Sequence, residues 1–338
     1  MRSPASRSLE PSGIPARVGA LASEAGFSFF EARQLAGDVG HRVYFRLFGA
    51  DNRTALAVVY PEAEAEARDR WNRMRTVLSG RVRVPEILAD DGETLQILED
   101  FGDLSLSRLW EREDPSARGR IAAQAAEVAG EIAGIPDPGV NPAFDADFFY
   151  RELEKSREGF FSAFAGDPLS QEEGSVHDEF ARALCREIDA HPRTLVHRDF
   201  HVDNLHSVGG EIGVIDFQDA RSGPDSYDIA SLTRERATLL APDAQAERVA
   251  CDRFAARLGP AAAGLRERLP RVRLQRAWKA AGTFARAAAE GRGELYRKFL
   301  PAQLSLVEEL LAPGGAEGEF AAILRRRSAK LFPWQPAR

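Results

Sequence analysis

The chain has 338 residues, 44% hydrophobic and 29% charged, with a formal net charge of −7. Such a chain can bury one large or two modest cores, and its acidic balance argues against nucleic acid as the main partner. No apolar run is long enough to span a bilayer. Met1 to Arg7 has arginines but no apolar core behind them, so no secretory signal is expected. Cys185 and Cys251 are the only cysteines. Two thiols in a chain this long suggest a reducing compartment, the cytoplasm, without a disulfide framework.

Residues 1–15 are rich in Ser, Pro and Arg and read as a flexible tail. Residues 16–25 suit a short helix stopped by Gly26. Residues 27–35 and 43–48 read as strands flanking Gly37-Asp38-Val39-Gly40. Residues 55–60 form a third strand. Trp71, Met74 and Leu78 recur at helical spacing and predict a helix over 62–78. Residues 84–88 and 94–98 complete a small sheet, split by Asp90-Asp91-Gly92. The expected N-terminal lobe is 16–98, followed by an acidic crossing at 99–103.

Residues 104–338 read as a mostly helical lobe. Asp114-Pro115 is an N-cap followed by proline at the first helical position, opening a helix to about Gly134. A loop is expected over 136–142. Amphipathic stretches cover 147–164, 176–190, 226–240, 244–258, 274–290, 294–311 and 319–331.

One hairpin interrupts the helices. Thr194-Leu195-Val196 is a short apolar strand, followed by His197-Arg198-Asp199-Phe200-His201-Val202-Asp203-Asn204 and then Ile212-Gly213-Val214-Ile215-Asp216-Phe217-Gln218-Asp219. His197-Arg198-Asp199 with Asn204 after four intervening residues has the spacing of a kinase catalytic loop, and Asp216-Phe217-Gln218 stands where kinases carry Asp-Phe-Gly. The chemistry asks for one carboxylate at the acceptor hydroxyl. It also asks for an amide oxygen and a second carboxylate as hard donors for Mg²⁺. A plain acidic turn would not need all three at this spacing. A zinc pair at His197 and His201 would need Glu after the first His and a helix; the chain has Arg198 and a strand-loop pattern.

With these motifs the chain resembles the aminoglycoside phosphotransferase (choline kinase-like) superfamily over about residues 25–310. It is most similar to bacterial anomeric kinases that phosphorylate N-acetylmuramate or N-acetylglucosamine in cell-wall recycling. Four stretches carry the finer likeness: 37–46, 98–103, 214–220 and 274–286. The resemblance implies an α+β, bilobal protein-kinase-like fold, with a small antiparallel-sheet lobe and a helical lobe. It also implies ATP and Mg²⁺ as cofactors and an amino sugar as acceptor.

Residue by residue, it implies Asp199 as the base and Asn204 and Asp216 as metal ligands. Gly37, Asp38, Gly40 and His41 would be the phosphate-covering turn, with Arg46 beside it and Glu99 and Asp100 at the nucleotide hinge. His197, Arg198 and Asp228 would support the loop. His201, Asp219, Arg276 and Lys279 are expected toward the acceptor, on a basic helical wall that includes Arg266, Arg268, Arg271, Arg273 and Arg286. One departure stands out. Protein kinases place a lysine on the third strand, and this chain has none before Lys155. Arg42 or Arg46 is the expected substitute, and Glu62, Glu64 and Glu66 are expected to be a solvated face. The short span from Asp216 to Ser226 leaves no room for a protein-kinase activation segment, which favours a small acceptor. The rival expectations are a kinase of another small alcohol (an aminoglycoside, choline or another sugar) and, in another class, a pseudokinase-like nucleotide-binding module.

Overall fold

A computed structural model describes residues 8–9, 16–35, 42–291 and 294–331. Ten strands and thirteen α-helices follow in chain order among them. They begin with β1 (Ser8–Leu9), α1 (Ala16–Glu24), β2 (Phe29–Gln34), β3 (Val43–Gly49), β4 (Thr54–Val59), α2 (Ala65–Leu78), β5 (Ile87–Asp90) and β6 (Leu95–Glu99). Then come α3 (Leu106–Arg112), α4 (Pro115–Ala133), α5 (Ala146–Arg157), α6 (Gln171–Asp189), β7 (Arg193–Val196), β8 (Leu205–Val208), β9 (Glu211–Val214) and β10 (Arg221–Pro224). The rest are α7 (Tyr227–Arg234), α8 (Ala237–Leu240), α9 (Ala244–Leu258), α10 (Leu265–Ala289), α11 (Glu294–Arg297), α12 (Leu300–Leu310) and α13 (Gly315–Ser328). No described helix is long and apolar enough to cross a membrane.

The chain divides into two compact units, Met1–Leu104 with His206–Asp219, and Ser105–Leu205 with Ala220–Arg338. The first is strand-rich. Its antiparallel sheet runs β1-β2-β3-β4-β6-β5. Alternation sets the faces: Phe45 and Leu47 of β3 lie opposite Ala57 and Ala55 of β4. These four join Val18, Leu21 and Ala22 of α1, with Phe27 and Ile97, in one apolar core. α2 buries Trp71, Met74 and Leu78. A polar chain also ties α2 to the sheet. Tyr60 Oη donates to Gln96 Oε1 at 2.9 Å, Gln96 Nε2 donates to Asn72 and Asp90 at 2.7 Å, and Arg68 pairs with Asp90 at 2.7 Å. The second stretch of this unit opens with the β8–β9 hairpin. Gly209 and Gly210 at its tip hold φ of 60° and 91°, the backbone a two-residue turn with the right twist demands. Val214 N donates to Arg83 O at 2.8 Å, and a Cβ on Gly213 would lie 2.4 Å from the Phe101 ring.

The helical unit is centred on α10, which buries Trp278 in an aromatic cluster with Phe160, Phe161, Phe180 and Phe320. Asp114 caps α4 as its sequence predicts, accepting from Ala117 N at 2.9 Å. Several helix bounds differ from the periodicity, each for a local reason. The stretch 147–164 is α5 followed by a π-helix over Glu158–Phe164. There Gly159 lets the backbones touch: its Cβ would fall 2.5 Å from Gly282 O, and a Cβ on Gly282 would fall 2.2 Å from Ser156 Cα. α6 starts five residues early because Ser170 and Glu173 form a capping box. The stretch 226–240 is broken into α7 and α8 at Glu235 and Arg236, where Arg236 has φ 55° and ψ −128°. α10 begins at Leu265 rather than 274 and passes through Pro270. Buried Leu265, Leu269 and Val272, with the Arg268–Asp225 and Arg271–Glu317 pairs, hold this turn against the lost backbone bond. The stretch 294–311 is likewise two helices, α11 and α12, and the last helix lies at Gly315–Ser328 instead of 319–331.

Candidate active site

In the helical unit the site grows out of the end of β7. His197 N and Arg198 N donate to the two oxygens of Asp228 on α7, at 2.7 and 3.1 Å. Asp228 is buried. It takes two amide donors that the loop's turn leaves without a strand partner. Arg198 carries φ 83°, a strained geometry for a non-glycine residue. Two side chains hold it there. Its own guanidinium pairs with Glu152 at 3.1 Å, which also accepts from Gln275 at 3.0 Å. Arg276 Nη1 donates to Arg198 O at 2.6 Å. The His197 ring is fully buried and packs edge-on against Phe200.

This scaffold presents Asp199. Its Oδ1 lies 3.1 Å from Lys279 Nζ and 3.8 Å from Arg276 Nη2, and its side chain stays 30% exposed. Burial pushes its carboxyl up, but Lys279, Arg198 and Arg276 overcome that and hold it well below the usual carboxylate range. Asn204 Nδ2 donates to Asp199 O at 2.9 Å. Spending the amide N–H₂ on the loop leaves Oδ1 as an acceptor, the atom a hard cation takes.

In the strand-rich unit Asp216 is exposed, with φ 63°. Gln218, in the place of the usual glycine, donates to Asp216 Oδ1 at 2.8 Å. Phe217 is fully buried and packs on Trp71 with centroids 5.2 Å apart. Asp219, half-buried, ends this stretch. Arg42 Nε lies 3.4 Å from Glu64 Oε2. Burial works against the Arg42 charge, yet Tyr44, Tyr60 and Asp216 around it raise its pKa on balance. Glu64 is therefore a partner of Arg42, not part of a solvated face.

Several residues sit differently from their sequence expectation. Arg46 is bound to Asp100 and Asp103 at 2.6 and 2.7 Å, so it is not a free cation for phosphate. Asp100 also accepts from Gly102 N at 2.8 Å, and Glu99 pairs with Arg83; both acids hold the crossing through their side chains. The basic wall is neutralised: Arg266 pairs with Asp252, Arg268 with Asp225, Arg271 with Glu187 and Glu317, Arg273 with Glu247, and Arg286 with Glu158. Arg276 is 2% exposed and clamped by Glu235 at 2.5 Å and Ser231 at 3.0 Å, so it supports the loop rather than facing an acceptor. The His201 ring is also buried, and burial with the Arg236 charge brings its pKa down to about 4. Gly37, Asp38, Gly40 and His41 lie outside the described residues. Sequence reasoning missed Glu152 and Glu235, since an acid in an amphipathic helix gives no sign that it points inward.

A family model described as phosphotransferase enzyme family matches residues 31–265. The chain belongs to that family. Within it the chain is similar to the N-acetylmuramate/N-acetylglucosamine kinase of Neisseria meningitidis, 29% identical over 208 residues, covering 61% of this chain and 62% of that protein. It is similar too to the Pseudomonas aeruginosa protein of the same name, 31% identical over 206 residues, covering 59% of this chain and 58% of the other. The chain thus spans less than two thirds of the length of the curated relatives it matches. Among solved structures, the gentamicin complex of APH(2″)-IIa matches with a TM-score of 0.62 at 14% identity, over 91% of this chain and 99% of that one. A choline/ethanolamine kinase family protein from Mesorhizobium loti matches at 0.60 and 16%, over 92% and 97%. The fold is the α+β, protein-kinase-like one, with a small antiparallel sheet and a mostly helical remainder.

Proposed function

We propose that this protein is an ATP-dependent kinase of a small alcohol. Its acceptor is the anomeric C1 hydroxyl of N-acetylmuramate or N-acetylglucosamine, and it works in the cytoplasm in cell-wall recycling. The observation that carries the reading is the state of Asp199: ionised, part-exposed, and steered by Lys279 on a loop that Asp228 and Arg276 fix from behind. The names of the two relatives support the acceptor.

Asp199 orients the hydroxyl and receives its proton as the phosphoryl group transfers in line. Because the transition state is loose, positioning and charge neutralisation supply most of the acceleration. Asn204 Oδ1 and the Asp216 carboxylate are the hard oxygens suited to Mg²⁺, which when bound neutralises charge on the phosphate oxygens. Arg42, backed by Glu64, takes the part of the absent strand lysine toward the nucleotide. In this reading Asp219 lies on the acceptor side, and Gly37, Asp38, Gly40 and His41 form the turn over the phosphates.

The test is ATP consumption by the purified chain with a panel of amino sugars, sugar acids, choline and aminoglycosides. Turnover is expected with the two N-acetylated sugars. Asp199→Ala should lower kcat by about three orders of magnitude or more while leaving ATP affinity nearly intact. Tight ATP binding with no stimulation by any acceptor would instead support a regulatory nucleotide-binding module.

A further inference from the structure

Around the catalytic loop of the helical unit the cations are committed. Arg276 is held by Glu235, Arg198 by Glu152, Arg234 and Arg273 by Glu247, and Lys279 by Asp199. Arg236 differs. Its nearest carboxylate, Asp203, stands 3.6 Å away, beyond hydrogen-bond length. Its guanidinium carbon lies 5.1, 5.6 and 5.8 Å from the ring centroids of Phe284, Tyr296 and Phe299. These rings are buried and packed on one another, Phe284 lying 5.5 Å from Tyr296 and 5.7 Å from Phe299.

Stacking engages the face of a guanidinium and leaves its in-plane N–H fork for another partner. The Arg236 side chain keeps 17% of its surface exposed. Its backbone sits at φ 55° and ψ −128°, a conformation that costs a non-glycine residue free energy and breaks the helix between α7 and α8. The same break turns Glu235 inward to Arg276, which reaches Arg198 O. Arg236 is therefore one residue from the clamp behind Asp199. Asp203, its loose partner, directly precedes Asn204 in the loop. His201 N donates to Asp199 O and Asn204 N to His201 O, both at 2.9 Å, so Asp203 stands on the same tight turn as Asp199.

We propose that Arg236 is the anion receptor of the acceptor site, binding the carboxylate of an acid-bearing sugar and so setting preference for N-acetylmuramate over the neutral N-acetylglucosamine. This rests on the kinase reading above. An aromatic box that already holds a cation also disfavours a cationic acceptor, since a second positive charge would meet the first. The carboxylate exchanges the loose ion pair with Asp203 for a two-pronged hydrogen bond to the fork.

The experiment compares N-acetylmuramate, its methyl ester and N-acetylglucosamine by steady-state kinetics in the wild-type chain, Arg236→Met and Arg236→Lys. In the wild type, esterifying the acid should lower kcat/KM by roughly 10-fold to 100-fold, chiefly through KM, the range of a charge-assisted hydrogen bond. In Arg236→Met that acid-to-ester ratio should collapse toward one, and Arg236→Lys should recover part of it. The ester comparison in the wild type needs no variant to fold. Equal use of acid and ester by the wild type, or an unchanged ratio in Arg236→Met, would overturn the assignment while leaving the kinase reading standing. No turnover of any of the three would sink both.

Discussion

At the scale of single residues, this site is built by pairing every charge but a few. Arg276 is fully desolvated, and its Glu235 partner makes that burial tolerable. Arg42 illustrates a different economy. A kinase strand lysine is normally anchored by a helix glutamate; here an arginine one residue ahead of β3 meets Glu64, just ahead of α2. If Arg42 serves the phosphates, Arg42→Met should raise KM for ATP by about tenfold or more, with a smaller effect on KM for the sugar. Glu64→Gln should give a weaker change in the same direction, because it removes the anchor and not the donor. An Arg42→Met enzyme with unaltered ATP kinetics would return the lysine's role to some other group. The sequence offered Arg42 and Arg46 as equal candidates. Only the pairing of Arg46 with Asp100 and Asp103 separates them, and that pairing joins positions more than fifty residues apart, beyond any local pattern.

At the scale of elements, helix α10 carries the unit, and one buried imidazole couples its packing to pH. His177 of α6 is fully buried. Its Nε2 accepts from Trp278 Nε1 at 3.1 Å, and its Nδ1 stands 3.3 Å from Asp178. Accepting at Nε2 requires the neutral ring, with the proton on Nδ1. Burial lowers the His177 pKa below its ordinary 6.5, and the neighbouring Asp178 only partly offsets that. The unfolded chain therefore takes up a proton on this ring before the folded chain does. The stability His177 contributes is complete above pH 6.5 and is lost as pH falls from there through the folded-state pKa. Urea unfolding from about pH 8 to about pH 5 should show a shallower loss in His177→Gln, whose amide accepts from Trp278 without titrating. Identical slopes in the two proteins would remove His177 from the acid response. The helix itself was legible from its period from 274 on, though not in its first nine residues, while α4 with its Asp114 cap and α9 were legible throughout. What periodicity missed were the interruptions: the π-turn at Gly159 and the break at Glu235 and Arg236 answer to neighbours on α10, not to their own stretch of chain.

For the whole molecule, the sequence reading of a small antiparallel sheet with a mostly helical remainder matches the fold, because alternation and helical period are local signals that survive in tertiary context. The allocation of residues 206–219 is another matter. The linear outline put them with the helical lobe, yet they group with the sheet of residues 1–104. The contacts are specific. Ser207 N donates to Leu104 O at 2.9 Å, Val214 N to Arg83 O at 2.8 Å, the Phe101 ring covers Gly213, and Phe217 is buried on Trp71. A strand-rich unit cut at Leu104 would lose Phe217 from its packing and leave the Trp71 and Phe101 faces bare. Losing one buried phenylalanine costs roughly 3–5 kcal/mol, a large share of the stability of a unit this small. Residues 1–104 alone should therefore unfold at markedly lower denaturant, or without a cooperative transition. The same segment joined by a flexible linker to residues 205–220 should regain a sigmoidal unfolding curve, and Phe217→Ala in that fusion should take most of the gain away. Equal stability of the two fragments would mean that the hairpin merely lies against the sheet, and that Asp216 is carried by its own short loop rather than by the unit that holds Arg42.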